Sequence, residues 1–175
     1  MLISSLLNKD VQQFIRNFEG EISQLAFAGS PFEGITIQQL IQQIEGRRRI
    51  EKKLPAWFEA LNVLYPPKLN LEQTSSEIAA KYKASLVNGK TIADITGGFG
   101  VDSFFFADKF EIVHHFEIDE EISKIAKHNF EILGKNNIHC RPTDGLQAVL
   151  KKQYDVIYAD PSRRHDSKGK VFFLN

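Results

Sequence analysis

The sequence predicts an α/β fold with a parallel sheet, preceded by a small all-helical domain. Three observations carry this prediction. Residues 1–68 show apolar residues at helical spacing only, residues 69–175 alternate short β-rich runs with helical patterns, and a glycine turn over 97–100 directly follows the first of those runs. Because alternating strands and helices are typical of βαβ units, we expect helices on both faces of the sheet.

The helical domain begins with apolar residues at helical spacing over 11–18. Thr36 and Gln39 have the spacing of a capping box, which predicts the start of another helix. A third helical stretch is interrupted at Pro55 and then resumes. The run Tyr65-Pro66-Pro67 predicts a linker to the second domain, because proline disfavours helix at the residue before it.

The α/β domain contains four predicted strands, each rich in β-branched or aromatic residues. They cover 91–95, 111–117, 137–141 and 154–159. A helix is predicted over 120–133, where Gly134 ends it, and another over the segment with Leu146, Val149 and Leu150.

A further helix is predicted ahead of the first strand. Thr74 and Glu77 fit the T-x-x-E capping box, so the helix should begin directly after Thr74. Its apolar residues, which we expect to face the sheet, are Ile78, Ala79, Tyr82 and Leu86.

An acidic residue stands at or just past the end of each predicted strand. These residues are Asp94, Glu117, Asp144 and Asp160. Open α/β sheets bind ligands at the carboxyl ends of their strands, and a glycine turn there presents backbone N–H groups, so a nucleotide-like cofactor site is predicted. The alternative is a βα turn that merely needs glycine. We assign Glu117, about 20 residues beyond the turn, to a ribose, and Asp119 to capping of the next helix.

These residues resemble the motifs of class I S-adenosylmethionine-dependent methyltransferases over about residues 74–164. The run Asp94-x-Thr96-Gly97-Gly98-x-Gly100 resembles their first motif, Glu117 the second, Asp144 the third and Asp160-Pro161-Ser162-Arg163 the fourth. The turn together with Asp-Pro-x-Arg-Arg is most similar to bacterial methyltransferases that carry a THUMP-like domain. The resemblance implies a Rossmann-like sheet and S-adenosylmethionine as the cofactor.

The resemblance also implies roles for these residues. Asp94 and the turn (Thr96, Gly97, Gly98, Gly100) would hold the methionine moiety, Glu117 the ribose and Asp144 the adenine amine. Ser75 is a secondary candidate, since a serine- or threonine-rich segment lies over the cofactor in related enzymes. A nicotinamide cofactor fits less well, because the turn lacks the third glycine of G-x-G-x-x-G.

Asp160, Pro161 and Arg163 are the predicted catalytic residues. Methyl transfer is an in-line displacement, so the protein mainly has to place the nucleophile. Enzymes that methylate nucleic-acid amines carry Asp/Asn-Pro-Pro-aromatic at this motif, whereas Ser162 and Arg163 occupy the last two positions here, which argues against base stacking. Arg163 and Arg164 fit either a grip on a substrate anion or ion pairs that close the loop.

The predicted function is methyl transfer to RNA or another nucleic acid. The alternative is a non-catalytic module that binds RNA or protein on a degenerate methyltransferase fold. The one basic cluster, Arg47-Arg48-Arg49 with Lys52 and Lys53, fits either RNA phosphates or a solvated helix face, and the interleaved Glu45 and Glu51 favour the latter. A net charge of zero does not indicate a polyanionic partner.

Composition and short motifs limit the classes of protein to which the sequence can belong. The sequence has 42% hydrophobic residues and one cysteine, which predicts a globular protein without a disulfide framework. No signal peptide, membrane span or metal-ligand spacing is recognisable, so we expect a cytoplasmic protein without a metal. Cys140 should be a buried apolar residue, and the adjacent His114 and His115 should point to opposite faces of their strand.

Length predicts an incomplete sheet. The resemblance implies seven strands, yet four precede Pro161 and only the run 171–174 could begin another. We therefore expect a fragment of a longer protein, whose exposed sheet edge would favour self-association. The sequence leaves the oligomeric state open.

Overall fold

A computed structural model describes residues 3–161 of the chain, and every structural statement below refers to them. The sheet has four parallel strands in the order β3-β2-β1-β4. The strands are β1 (Thr91–Asp94), β2 (Ile112–Glu117), β3 (Ile138–Pro142) and β4 (Val156–Tyr158). All four predicted strands are confirmed, and the predicted α/β fold with them. The run 171–174 and the residues Ser162, Arg163 and Arg164 lie outside the described residues.

Ten helices belong to the described residues. They are α1 (Ile3–Leu6), α2 (Lys9–Asn17), α3 (Ile22–Ala28), α4 (Ile37–Ile50), α5 (Pro55–Glu59), α6 (Lys68–Gln73), α7 (Glu77–Ser85), α8 (Val101–Phe106), α9 (Glu120–Ile132) and α10 (Gly145–Val149). The predicted capping box at the start of α4 is confirmed, with Thr36 and Gln39 exchanging both hydrogen bonds. None of these helices has the length and apolarity that crossing a bilayer requires.

The helical region and the sheet region share one hydrophobic core. Trp57 of α5 is fully buried against Phe104 of α8, with ring centroids 4.5 Å apart. Asn129 of α9 is also buried, and its side chain exchanges two hydrogen bonds of 2.9 Å with the backbone of Leu64. The predicted linker also packs into this core. Its residue Tyr65 is buried, and the Tyr65 carbonyl accepts hydrogen bonds from two glutamine side chains of α4.

The basic cluster bonds within the chain. Arg47 donates to the Phe58 carbonyl and covers the Phe58 ring. Arg48 donates to the carbonyls of Phe18 and Gly20, and Lys53 to that of Leu71. Arg49 pairs with Glu72. These side chains bond to α5, to α6 and to the end of α2, whereas the sequence favoured a solvated helix face.

The predicted start and inner face of α7 are wrong. The helix begins at Glu77, and its N-cap is Ser76, whose hydroxyl accepts from the Ala79 amide, instead of Thr74. Its predicted inner residues Ile78, Tyr82 and Leu86 are exposed. The buried side chains are Ala80 and Ala84, because small residues allow α7 to pack closely against α8.

The two adjacent histidines of β2 and the cysteine of β3 were also predicted from the sequence. His115 contacts Phe130 of α9, whereas His114 contacts Tyr154 on the opposite side, so the two rings do point to opposite faces. Cys140 is only partly buried, yet burial raises the pKa of its thiol to about 12, which keeps it protonated and inert at neutral pH. Of the apolar residues predicted for the helix after β3, Leu146 of α10 and its C-cap residue Leu150 are exposed.

Candidate active site

A cleft of about 940 Å³ opens at the carboxyl ends of β1, β2 and β4. Eight of the predicted site residues line it: Ser75, Thr96, Gly97, Gly98, Glu117, Asp144, Asp160 and Pro161. Two others do not line it: Asp94 is buried at the end of β1, and Gly100 ends the turn against the ring of Phe130. Arg163 falls outside the described residues. Residues from five separate parts of the sequence thus meet at one edge of the sheet.

The glycine turn is shaped by backbone contacts that a side chain would disturb. Gly98 and Gly100 have φ values of 54° and 90°, a region that favours glycine. The Gly97 amide donates to the Phe116 carbonyl at 2.8 Å, which ties the turn to the end of β2. A Cβ on Gly100 would overlap the buried ring of Phe130, so the turn also lies directly on α9.

Glu117 joins the turn to the start of α9. Its Oε2 accepts from the Gly98 amide at 2.8 Å, and its Oε1 accepts from the Asp119 amide at 2.8 Å. Each oxygen of the Glu117 carboxylate can accept a second hydrogen bond, so the side chain can still accept from two hydroxyl groups of a ligand. Asp119 caps α9 as predicted, with its Oδ1 accepting from the amides of Glu121 and Ile122.

Asp94 is buried and does not line the cleft. Its carboxylate accepts from the Thr96 amide at 3.1 Å and from the Ser103 hydroxyl at 2.6 Å. The same hydroxyl lies 3.1 Å from Nδ1 of His115, whose pKa burial lowers to about 4, so the ring is neutral. Burial raises the pKa of Asp94 to about 7, although its two hydrogen bonds oppose the rise. Asp94 therefore acts on the cleft through the Thr96 backbone.

The raised pKa of Asp94 predicts a pH-dependent stability. The native carboxyl keeps a proton that the unfolded chain releases above pH 3.8, so the free energy of unfolding falls as pH rises from 3.8 to about 7. The uncharged Asp94→Asn variant lacks this dependence. Relative to that variant, the unmodified protein should lose about 2 to 3 kcal/mol between about pH 5 and about pH 8. Urea denaturation of both proteins at the two pH values measures the difference, and a constant difference would contradict the assignment.

Asp144 and Asp160 follow β3 and β4, the two strands at opposite edges of the sheet, and both line the cleft. Asp144 caps α10, with its Oδ1 accepting from the Leu146 amide at 2.9 Å, and the residue is exposed. The Asp160 amide donates to the Thr96 hydroxyl at 2.7 Å, which links the end of β4 to the turn after β1. The fourth predicted motif is thus fixed to the first.

Several residues of this site were not predicted from the sequence, among them Ile118, Ser103, Asp102 and Lys83. Ile118 is 75% exposed at the cleft wall, although it is apolar. Its position between two acids at the end of a strand is a signal that could have found it. Ser103, Asp102 and Lys83 carry no such signal. Ser103 bonds to Asp94, and Lys83 joins Asp102 to Asp160, and these contacts are made only in the fold.

The cleft is acidic. Its described lining contains five carboxylates, those of Glu72, Asp102, Glu117, Asp144 and Asp160, and no lysine or arginine. Such a lining repels phosphate groups and attracts cations. Three of the five form ion pairs with cations outside the lining, Glu72 with Arg49 and Lys68, and Asp102 and Asp160 with Lys83, which leaves Glu117 and Asp144 without a described cation.

Comparisons with known proteins give the same fold. No protein-family model matches the sequence, and no curated protein matches it. The structure is similar to the crystal structure of a "putative methyltransferase" from Porphyromonas gingivalis W83, with a TM-score of 0.71 and 26% identity over 90% of this chain. The match covers 42% of that protein, so this chain spans less than half of its length.

Two further solved structures are more distant. One is an rRNA methylase from Streptococcus thermophilus, with a TM-score of 0.39 and 18% identity over 49% of each chain. The other is an O-methyltransferase from Bacillus cereus in complex with SAH, with a TM-score of 0.44 and 21% identity over 65% of this chain and 64% of that one. The sheet order and the Porphyromonas likeness define a Rossmann-like class I methyltransferase fold. The relation to THUMP-like proteins stays a prediction.

Proposed function

We propose that the chain carries the cofactor site of an S-adenosylmethionine-dependent methyltransferase. The observation that carries the proposal is the glycine turn and Glu117, held together at 2.8 Å, in a cleft lined by carboxylates without a lysine or arginine among its described residues. The Porphyromonas likeness supports the same activity.

The charge of the cleft favours this cofactor over phosphate-bearing nucleotides. S-adenosylmethionine supplies a positively charged sulfonium whose methyl group can be transferred. A lining of carboxylates attracts such a ligand, whereas a dinucleotide would bring two phosphates to a lining whose described residues include no lysine or arginine. Backbone amides of the turn and the oxygens of Glu117 supply the donors and acceptors that the neutral parts of the ligand need.

The roles proposed for individual residues follow their positions. The turn from Thr96 to Gly100 holds the methionine end of the cofactor, with Asp94 supporting it from below. Glu117 accepts from the ribose hydroxyls, and Asp144 accepts from the adenine amine. Ser75 and the exposed side chain of Ile118 form the walls on either side.

The methyl acceptor that we propose is a nucleic acid, with RNA as the first candidate. Support is limited to the Asp160-Pro161 pair, the half of the fourth motif that the chain shares with enzymes that methylate nucleic-acid amines, which lies at the cleft beside the turn. Asp160 would accept a hydrogen from the nucleophile and so orient it for in-line attack, and such placement can contribute up to about 7 to 11 kcal/mol. Arg163 remains a proposed contact to the substrate.

Calorimetric titration with S-adenosylhomocysteine tests the cofactor site. We expect Glu117→Gln to weaken binding about tenfold or more, because the amide oxygen cannot serve the Gly98 amide, the Asp119 amide and the ribose together. The control Glu131→Gln, at an exposed position in the last turn of α9, should bind as the unmodified protein does. Equal affinity of all three proteins would remove Glu117 from the site. Transfer of labelled methyl groups to RNA, DNA and protein then tests the acceptor.

A further inference from the structure

Lys83 of α7 does not line the cleft, but its ammonium group donates to three side chains that do. Its Nζ donates to Oδ2 of Asp160 at 2.7 Å, to the Ser75 hydroxyl at 2.8 Å and to Oδ2 of Asp102 at 3.2 Å. An ammonium group has three N–H donors, so each has a partner. The side chain is 28% exposed, which places the ion pairs partly away from water.

Asp102 fixes Lys83 from the side of α8. Its Oδ2 also accepts from the Ser75 hydroxyl at 2.9 Å and from the Tyr158 hydroxyl at 3.1 Å. Its Oδ1 is buried and has no hydrogen-bond partner within residues 3–161. Burial lowers the pKa of Lys83, but the bonds and charges of Asp160 and Asp102 outweigh burial and raise it, so the ammonium stays charged.

Within residues 3–161, the Asp160 carboxylate is held through one of its two oxygens. Lys83 and, at 3.4 Å, the Tyr158 hydroxyl both meet its Oδ2, and its amide bonds to Thr96. Its Oδ1 accepts no hydrogen bond from the described residues, and the side chain is 57% exposed at the cleft. The carboxylate is therefore anchored through one oxygen, while the other is available to a ligand.

We propose that Lys83 is a positioning residue, which anchors Oδ2 of Asp160 so that Oδ1 accepts the hydrogen of the methyl-accepting group. This inference rests on the proposed methyltransferase function. In the step that it serves, the methyl carbon forms a bond to the acceptor nitrogen or oxygen, and the pair of the broken carbon–sulfur bond stays on sulfur. The acceptor's proton passes to Oδ1 and from there to water, so charge and atoms balance.

The anchoring can be measured without knowledge of the acceptor. Amide hydrogen exchange, followed by NMR, reports on the bond between the Asp160 amide and Thr96. We expect Lys83→Met to speed exchange at Asp160 about tenfold or more, whereas Lys83→Arg keeps the charge and restores slow exchange. Lys81→Met is the matched control, because Lys81 lies on the same helix and pairs with the remote Glu77. Exchange in the control should equal that of the unmodified protein.

Titration with S-adenosylhomocysteine, on the same proteins, separates the two proposals. The affinity of Lys83→Met should stay within about twofold of the unmodified protein, because Lys83 does not line the cleft. Unchanged exchange at Asp160 in Lys83→Met, or exchange in Lys83→Arg as fast as in Lys83→Met, would overturn the role of Lys83. Absence of binding by the unmodified protein would instead overturn the cofactor site, while the exchange result would still decide whether Lys83 anchors Asp160.

Discussion

Replacing Gly100 with alanine is expected to destabilise the protein by about 2 to 5 kcal/mol and to abolish cofactor binding. Two effects add at this position. The φ of 90° is strained for any residue with a Cβ, and that Cβ would overlap the Phe130 ring, which is 2% exposed and cannot move aside. Urea denaturation measures the first effect and titration with S-adenosylhomocysteine the second.

Gly98→Ala is the matched control for this prediction. Gly98 also has a positive φ, 54°, but the atom nearest to a Cβ there is the Thr96 carbonyl oxygen at 3.9 Å. Only the backbone effect remains, so a loss of about 1 kcal/mol is expected. If both variants lost the same stability, the contact between the turn and α9 would not be what requires Gly100.

Trp57→Ala is expected to lower the free energy of unfolding by about 3 to 5 kcal/mol. The indole is fully buried, and its ring centroid lies 4.5 Å from that of Phe104 and 6.3 Å from those of Phe99 and Phe105. Its removal leaves a cavity between the helical region and α8. Thermal or urea unfolding should show one transition at lower stability, since both regions share a core.

Two controls separate packing from other effects of this substitution. Trp57→Phe should be milder, because the indole Nε1 has no hydrogen-bond partner among the described residues and only volume is lost. Phe27→Ala should change stability by less than about 0.5 kcal/mol, because Phe27 is 94% exposed. A Trp57→Ala variant as stable as Phe27→Ala would contradict the shared core.

The strands and the turn could be predicted because their signals are local. Each strand is a short β-rich run, and Gly98 and Gly100 occupy positions whose positive φ favours glycine. Parallel strands place their carboxyl ends at one edge, so the meeting of Glu117, Asp144 and Asp160 at the cleft followed from the parallel direction of the strands.

Features set by distant contacts could not be predicted in this way. Spacing on α7 indicated a core face with Ile78, yet packing against α8 selected Ala80 and exposed the larger residue. An acid at the end of a strand looks the same in sequence whether it is buried, as Asp94 is, or exposed, as Asp160 is. The link from Lys83 to Asp160 joins residues 77 positions apart and becomes visible only in the fold.

Under the proposed function, the acidic cleft on this class I methyltransferase fold holds a cationic adenosyl cofactor. Parallel calorimetric titrations of the unmodified protein with S-adenosylmethionine and with oxidised nicotinamide dinucleotide, at neutral pH and low salt, test it most directly. We expect S-adenosylmethionine to bind at least about a hundredfold more tightly, because five carboxylates line the cleft and its described lining has no lysine or arginine. Equal affinities, or tighter binding of the dinucleotide, would contradict the claim.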